Sequence, residues 1–235
     1  MKKVAVLQSN YIPWKGYFDI INGCDEFIFL DDVQYTKNDW RNRNKIKSSA
    51  GTEWLTIPIG ASKGRLICEV TPASPVWARK HYSTLSQNYA KAPFFSQYRE
   101  FLEHVYLERQ WTNLSELNQF LIRYISTEFL GIDTNFKDSR EFSLSGRKLD
   151  RLLDLLKKAG AEYYISGPAA KEYIDDQTFA DAGIKLVYQD YSGYPEYKQI
   201  FPPFDHYVTV FDLLFHVGPD APRYHRGWRE EETRD

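Results

Sequence analysis

Val4-Ala5-Val6-Leu7-Gln8-Ser9-Asn10-Tyr11-Ile12-Pro13-Trp14-Lys15-Gly16-Tyr17-Phe18-Asp19 opens on a short continuous apolar run, Val4 to Leu7, that stops at the polar Gln8-Ser9-Asn10. A run of that length, bounded in that way, reads as a strand buried on both faces, the kind found inside parallel sheets. Beyond the loop that carries Pro13, Tyr17 to Asn22 has helical spacing and ends at Gly23, a residue suited to follow a helix. Phe27-Ile28-Phe29-Leu30 is then a second strand of the buried type. The three together predict a βαβ unit, which is right-handed and makes its strands parallel.

The same pattern returns late in the chain. Leu149, Leu152, Leu153, Leu156 and Ala159 lie at helical spacing with Gly160 as the stop. Tyr163-Tyr164-Ile165 follows as a strand, Ala169 to Ile174 as a short helix and Ile184 to Tyr188 as another strand. The expected fold class is therefore α/β: a mostly parallel sheet with helices, built from N- and C-terminal βαβ units, with a largely helical middle insertion at about residues 75–145. One sheet fed from both ends would set the strand exits near Asn10 and Ser166 side by side. Ahead of the insertion, Trp54 to Ile59 reads as a strand that pairs with Leu66 to Val70 around Gly60 and Gly64. Within it, Pro93 starts or breaks a helix, and Leu114, Leu117, Leu121, Ile122 and Ile125 form a stripe behind an Asn113 cap. Residues 1–222 are expected to form a single α/β domain, with residues 223–235 as a polar tail.

Composition excludes several classes. With 43% hydrophobic and 26% charged residues the chain has the material for a full core and no signature of disorder. A net charge of −2 gives no global basic field, which argues against a dedicated nucleic-acid or anionic-membrane binder. Two cysteines, Cys24 and Cys68, make no disulfide framework and read as buried thiols. The basic start is followed by an apolar run of strand length only, and no stretch approaches the ~20 apolar residues a membrane helix needs. The reading is a cytoplasmic protein without membrane insertion. The five histidines, at 81, 104, 206, 216 and 225, have no metal-ligand spacing, so no metal site is expected. P-loop, GxGxxG and GxSxG signatures are absent from the sequence.

In open parallel sheets ligands bind beyond the carboxyl ends of the strands. Here the exits are Gln8-Ser9-Asn10-Tyr11, Asp31-Asp32-Val33-Gln34-Tyr35, Ser166-Gly167-Pro168 and Gln189-Asp190-Tyr191, all able to orient a polar ligand. The densest chemistry lies in Gln34-Tyr35-Thr36-Lys37-Asn38-Asp39-Trp40-Arg41-Asn42-Arg43-Asn44-Lys45. Arg and Lys offer charge-assisted donors to phosphate, Asn reads a base or sugar edge, and Trp or Tyr stacks on either, which suits a nucleotide. A solvated basic loop has the same composition, as does a single-stranded nucleic-acid binder; the acidic pI near 6.2 and the lack of a second such stretch count against the latter. Lys80-His81 opens a helix, and Asp212 and His216 stand at i and i+4 on one helical face, where a carboxylate could fix an imidazole tautomer.

Val4 to Asp19 resembles the opening signature of the WbqC-like family, and so do Asp31-Asp32-Val33-Gln34-Tyr35 with Trp40-Arg41-Asn42-Arg43, Tyr89-Ala90-Lys91-Ala92-Pro93, Tyr164-Ile165-Ser166-Gly167-Pro168 and Val210-Phe211-Asp212-Leu213-Leu214-Phe215 with Gly218. The resemblance runs nearly end to end. It implies a bacterial protein of O-antigen or other surface-polysaccharide biosynthesis, and a glycyl or other acyl transferase that decorates amino sugars. The opening strand, turn and helix also resemble, more distantly, adenylyltransferase-like folds that bind phosphate through HxGH; the stretch Pro13-Trp14-Lys15-Gly16 has no histidine, so nucleotide binding could persist without that chemistry.

The expectation is thus an N-acyl or aminoacyl transferase acting on a nucleotide-linked amino sugar, with an activated acyl donor, free or carrier-bound, and no tightly held cofactor. Asp31, Asp32 or His81 would take the proton of the amine. Lys37, Arg41 and Arg43 would hold phosphate and Tyr35 or Trp40 would stack, with Gln8, Asn10, Tyr11, Trp14, Lys15, Gln34, Asn42 and Ser166 completing the binding surface. No residue reads as a covalent nucleophile, which favours direct attack on the acyl group. The alternatives are a noncatalytic nucleotide-sugar binding protein and another nucleotide-dependent transferase.

Overall fold

The computed structural model describes residues 1–172 and 176–225. Its sheet is all parallel, with β1 (Lys3–Leu7), β2 (Glu26–Phe29), β5 (Asn135–Asp138), β6 (Tyr163–Ser166) and β7 (Lys185–Tyr188) in the order β5-β2-β1-β6-β7. A separate antiparallel hairpin joins β3 (Arg43–Ser48) to β4 (Gly51–Thr56). The α/β class and the mostly parallel sheet expected from the two βαβ patterns are what the chain adopts. Strand β1 is central because it alone joins the two units: Val4 is level with Glu26 on one side and with Tyr164 on the other.

Alternation along the buried strands builds two cores. Ala5, Phe27, Phe29 and Ile165 face a large cluster with Phe18 and Ile21 of α1 (Lys15–Asn22), Leu117 and Leu121 of α4 (Leu114–Tyr124), and Phe211 and Phe215 of α7 (Val210–Val217). Val4, Val6, Ile28 and Tyr164 face the opposite way, onto Leu155 and Leu156 of α5 (Lys148–Lys158) and Phe179 of α6 (Asp176–Asp181). Each fully buried Phe, Leu or Ile contributes about 1.5–3 kcal/mol. A carboxylate at Ile28, between neighbours on both sides, would therefore break the sheet. Gly160 ends α5 at φ +68, a conformation that suits glycine, and Asn113 caps α4 by accepting from the Glu116 N–H at 3.0 Å.

One sequence expectation is corrected. The partner of the Trp54 strand is Arg43–Ser48, with Lys45 opposite Trp54, and not Leu66–Val70. Leu66–Val70 instead wraps a single 3-10 turn, Ile67–Glu69, in which Ile67 and Val70 are buried and the Glu69 carboxylate accepts from the Leu66 N–H at 2.9 Å. Strand β3 escapes hydrophobic patterning because its buried residues, Ile46 apart, are polar: Asn44 is buried by donating to the carbonyls of Tyr11 and Ile12 at 3.0 and 2.8 Å, and the Lys47 amine reaches the Pro203 carbonyl at 2.6 Å. The middle insertion is largely helical, as expected, and ends in a strand. Helices α2 (Val76–Tyr89), α3 (Arg99–Glu103) and α4 give way to β5, which pairs with β2 and extends the sheet. Pro168–Glu172 forms a 3-10 turn; the remainder of the helix expected to Ile174, and residues 226–235 of the expected tail, lie outside the described residues.

Candidate functional site

The strand order reverses at β1: the chain leaves it for β2 on one side and later returns to β6 on the other. Such a switch point opens a crevice at the carboxyl ends of the two strands. The exits of β1 and β6, at Gln8 to Tyr11 and Ser166 to Pro168, are adjacent there, as the shared sheet requires. Ser166 is buried and its carbonyl accepts from the Gln189 N–H at 2.8 Å, tying the β6 exit to that of β7.

The β2 exit is closed by protein contacts. Asp31 has no exposed surface; its carboxylate accepts from the Ser9 N–H at 2.8 Å, from Gln119 Nε2 at 3.0 Å and from the Ser115 hydroxyl. Gln119 spans the gap to Asp138, donating to it at 2.8 Å. Asp32 points to the opposite face, as alternation dictates, where it pairs with the Arg151 guanidinium and accepts from the Ser139 hydroxyl at 2.6 Å; its side chain is 13% exposed. His81 lies apart from the crevice, in a ring of Tyr11, Trp77 and Tyr106. Its Nε2 donates to the Thr56 carbonyl at 3.2 Å, since a carbonyl can only accept, so its Nδ1 accepts from the Tyr11 hydroxyl at 2.8 Å. Burial pulls its pKa down to about 4. Both nitrogens are occupied and the ring is neutral, which makes His81 a packing joint in this geometry. Tyr11 is wholly buried with it and turns away from any ligand.

The loop after β2 meets the β1 exit edge to edge. Tyr11 N–H donates to the Trp40 carbonyl at 2.9 Å, and the Asn118 amide clamps the Arg41 carbonyl at 2.8 Å and the Ser9 carbonyl at 3.3 Å. Around this seam, Ser9 Oγ, Asn10 Oδ1, Tyr35 Oη, Arg41 Nε, Arg43 Nε and Asn118 Oδ1 are buried and find no partner in the protein. Folded chains leave few such atoms, because each costs about 1–3 kcal/mol. Asp39 holds the far end of Arg41 at 2.6 Å, and the Arg43 guanidinium lies 4.2 Å over the Trp54 ring. Trp40 and Trp54 are exposed at 42% and 43% and pack on each other at 5.3 Å. Asn42 is buried and donates to the Ile57 carbonyl at 2.9 Å, a structural duty; Gln34 and Lys37 are exposed at the rim, and Gln8 is half-buried with its carbonyl accepting from the Tyr17 hydroxyl at 3.0 Å.

On the other side of β1, Trp14 folds its indole over Gly16, where any Cβ would lie within 2.3 Å of the ring; the glycine is what lets the tryptophan lie there. Trp14 in turn packs against Tyr191 at 4.9 Å and Tyr207 at 5.1 Å. The next residue, Lys15, is buried with its amine 5.1 Å over Tyr194 and 5.4 Å over Tyr197, and it donates to the Pro195 carbonyl at 3.2 Å. Burial lowers its pKa to about 8, partly offset by Asp212, Glu196 and Asp19. Past these rings, a cleft of about 440 Å³ opens at the β7 exit, bordered by Lys171, Tyr188, Gln189, Asp190, Tyr191 and Tyr207. The exit reading of the sequence points to Gln189, Asp190 and Tyr191. Tyr188 ends β7 just ahead of them, while Lys171 and Tyr207 come from elsewhere on the chain and carry no local motif that would mark them. Nor does anything in α4 mark Ser115, Asn118 and Gln119, which hold the β1 and β2 exits.

A model of the WbqC-like protein family matches residues 8–224. The chain belongs to the WbqC-like protein family. The match begins at Gln8, on the first exit, and closes at Tyr224, whose ring lies 6.0 Å from the Lys15 amine, so it spans every feature of the WbqC-like chain's crevice described above. The chain is similar to an uncharacterized protein of Mycobacterium tuberculosis, 46% identical over 233 residues that make up 98% of this chain and 100% of the relative. No solved structure matches it. Among the described residues, no helix is long and apolar enough to cross a membrane and no group of three or more His, Cys, Asp or Glu is placed to hold a metal.

Proposed function

We propose that this WbqC-like chain binds a nucleotide-linked amino sugar at the carboxyl edge of β1 and transfers an acyl or aminoacyl group, glycyl included, to the sugar amine, as a step in building bacterial surface polysaccharide. The observation that carries the reading is the set of orphaned polar atoms on the β1 exit and the loop that meets it, Asn10 Oδ1 on the first and Arg41 Nε, Arg43 Nε and the Tyr35 hydroxyl on the second. Three donors and three amide or hydroxyl acceptors that the protein itself leaves unpaired suit a ligand with a diphosphate and a polar sugar. The exposed Trp40 and Trp54 rings beside them offer a stacking surface for the base.

The acyl group passes directly from donor to amine. Burial pushes the Cys24 and Cys68 thiols up, so neither is a ready thiolate. The amine nitrogen forms the new bond to the acyl carbonyl carbon, the bond from that carbon to the donor's leaving group breaks, and the amine proton passes to Asp32, the most exposed of the three expected bases. The donor is an activated acyl compound and no cofactor stays bound. The internal pairing of Asp31, Asp32 and His81 favours a second reading, a nucleotide-sugar binding protein that keeps the Arg41 and Arg43 site and does no chemistry. Incubation with a nucleotide-linked amino sugar and a panel of acyl thioesters and aminoacyl adenylates, read by product mass, tests the first reading. Acylated sugar supports it; binding without product supports the second; neither binding nor product overturns both.

A further inference from the structure

We propose that the cleft at the β7 exit is a pyranose site, and that it takes the ring of an amino sugar against Tyr207 and Tyr191. The identity of the ring as an amino sugar rests on the function proposed above; the recognition of a saccharide does not.

The cleft's volume, about 440 Å³, lies within the ~300–1,000 Å³ of small-molecule sites. Its lining mixes aromatic and hydrogen-bonding side chains, with Tyr188, Tyr191 and Tyr207 next to Lys171, Gln189 and Asp190. A pyranose has the matching character, C–H faces that pack on aromatic rings and a rim of hydroxyls that need donors and acceptors. Tyr207 is 61% exposed, an unusual position for a large ring, yet it is not loose: Trp14 backs it at 5.1 Å with the ring planes at 39°. An exposed ring braced from behind is a platform. The rings here meet at 39° for Trp14 with Tyr207 and at 72° for Trp14 with Tyr191, so they offer facets in several planes rather than parallel walls. A flat base sandwiched between rings needs parallel walls, while a puckered sugar does not.

A second, independent observation lies in the cleft lining. Gln189 is 3% exposed, and its Nε2 is committed to Asp19 at 2.6 Å, which fixes the amide plane. Its Oε1 is buried and has no partner in the protein. A lone amide acceptor in the lining calls for a donor, which a sugar hydroxyl or ammonium supplies and a phosphate does not. The ammonium of an amino sugar also gains from the tyrosine faces and from the Asp190 carboxylate bordering the cleft. The segment from Tyr194 to Tyr197 is held from behind by Lys15, over whose amine its rings lie at 5.1 and 5.4 Å.

The test uses the full chain and free sugars, so that it does not depend on nucleotide binding. Saturation-transfer NMR with glucosamine, galactosamine and mannosamine should show transfer to the ring protons of at least one of them in the wild type. Tyr207→Ala should cut that transfer at least fivefold, and Tyr207→Phe, which keeps the ring, should restore it. Position 207 is exposed, so unchanged thermal melting of Tyr207→Ala is expected and is measured alongside. No transfer in the wild type, or equal transfer in wild type and Tyr207→Ala, overturns the proposal. A uridine or thymidine diphosphate titration run on the same samples separates the two readings: absence of diphosphate binding with sugar transfer intact removes the nucleotide and leaves the pyranose site standing.

Discussion

The two sides of the sheet's carboxyl edge handle polar residues in opposite ways. On the β2 and β5 side every carboxylate is met by protein donors: Asp31 by Ser9, Ser115 and Gln119, Asp32 by Ser139 and Arg151, Asp138 by Gln119 and Arg140. On the β1, β6 and β7 side, single buried donor and acceptor atoms are left without protein partners, from Asn10 Oδ1, Arg41 Nε and Arg43 Nε to Gln189 Oε1. The difference teaches how to divide structure from function at such an edge. A buried group whose capacity is filled by the fold stabilises the fold, whereas one that the fold orients and leaves unfilled is held for something else.

The sharpest way to break this division is to empty the filled side. Asp31→Ala strands the Ser9 N–H and the Ser115 hydroxyl proton and leaves the Gln119 amide with Asp138 and Ser115 as its acceptors. It should lower unfolding free energy by at least about 3 kcal/mol, measured by urea denaturation. Stability within about 1 kcal/mol of wild type would mean that Asp31 is not the keystone of the β2 exit.

His81 belongs to the same filled class and adds a pH signature. Its folded pKa is lowered to about 4 from an unfolded value near 6.5, so between those limits the unfolded chain binds the proton and the folded chain resists it. The contribution to stability is complete above about pH 6.5 and is lost as pH falls toward 4, by up to about 3 kcal/mol. In His81→Phe that portion of the pH profile should flatten. A profile unchanged by the substitution would show that His81 is not buried neutral.

Asp32 sharpens the comparison because it stands between the classes, paired but partly exposed. Asp32→Asn should cost about 1 kcal/mol of stability through the weakened Arg151 contact, and about 100-fold in turnover if it receives the amine proton. Lost stability with full turnover would place it wholly on the structural side.

How much of this could be read from the chain follows from where the information lies. Strands β1, β2 and β6 are buried on both faces, so continuous apolar runs such as Val4–Leu7 and Phe27–Phe29 announce them. Strand β5 holds one apolar residue, Phe136, and β3 buries Asn44 and Lys47 by backbone contacts that no local pattern displays. At the candidate site, the residue types of Tyr35 to Arg43 stand close together along the chain, which is why the sequence suggests ligand chemistry there. What could not be read was satisfaction. Asp31 and Asp32 look alike as neighbours, and only the distant Ser115, Gln119 and Arg151 decide what each can do. Tyr11 and His81, both polar and next to loops, gave no sign that they would fill each other's capacity across the fold.

The most direct test of the unfilled side is calorimetric titration of the full chain with a nucleoside diphosphate, carried out on wild type, Arg41→Ala and Arg43→Ala. Each guanidinium carries a buried Nε with no partner in the protein, so its removal takes away a donor to the ligand and little of the core. Each variant should bind about tenfold more weakly, about 1.4 kcal/mol, while its unfolding midpoint stays close to that of the wild type. Wild-type affinity in both variants, or affinity lost only in step with stability, would contradict the assignment of the β1 exit as the anion-binding side of the sheet.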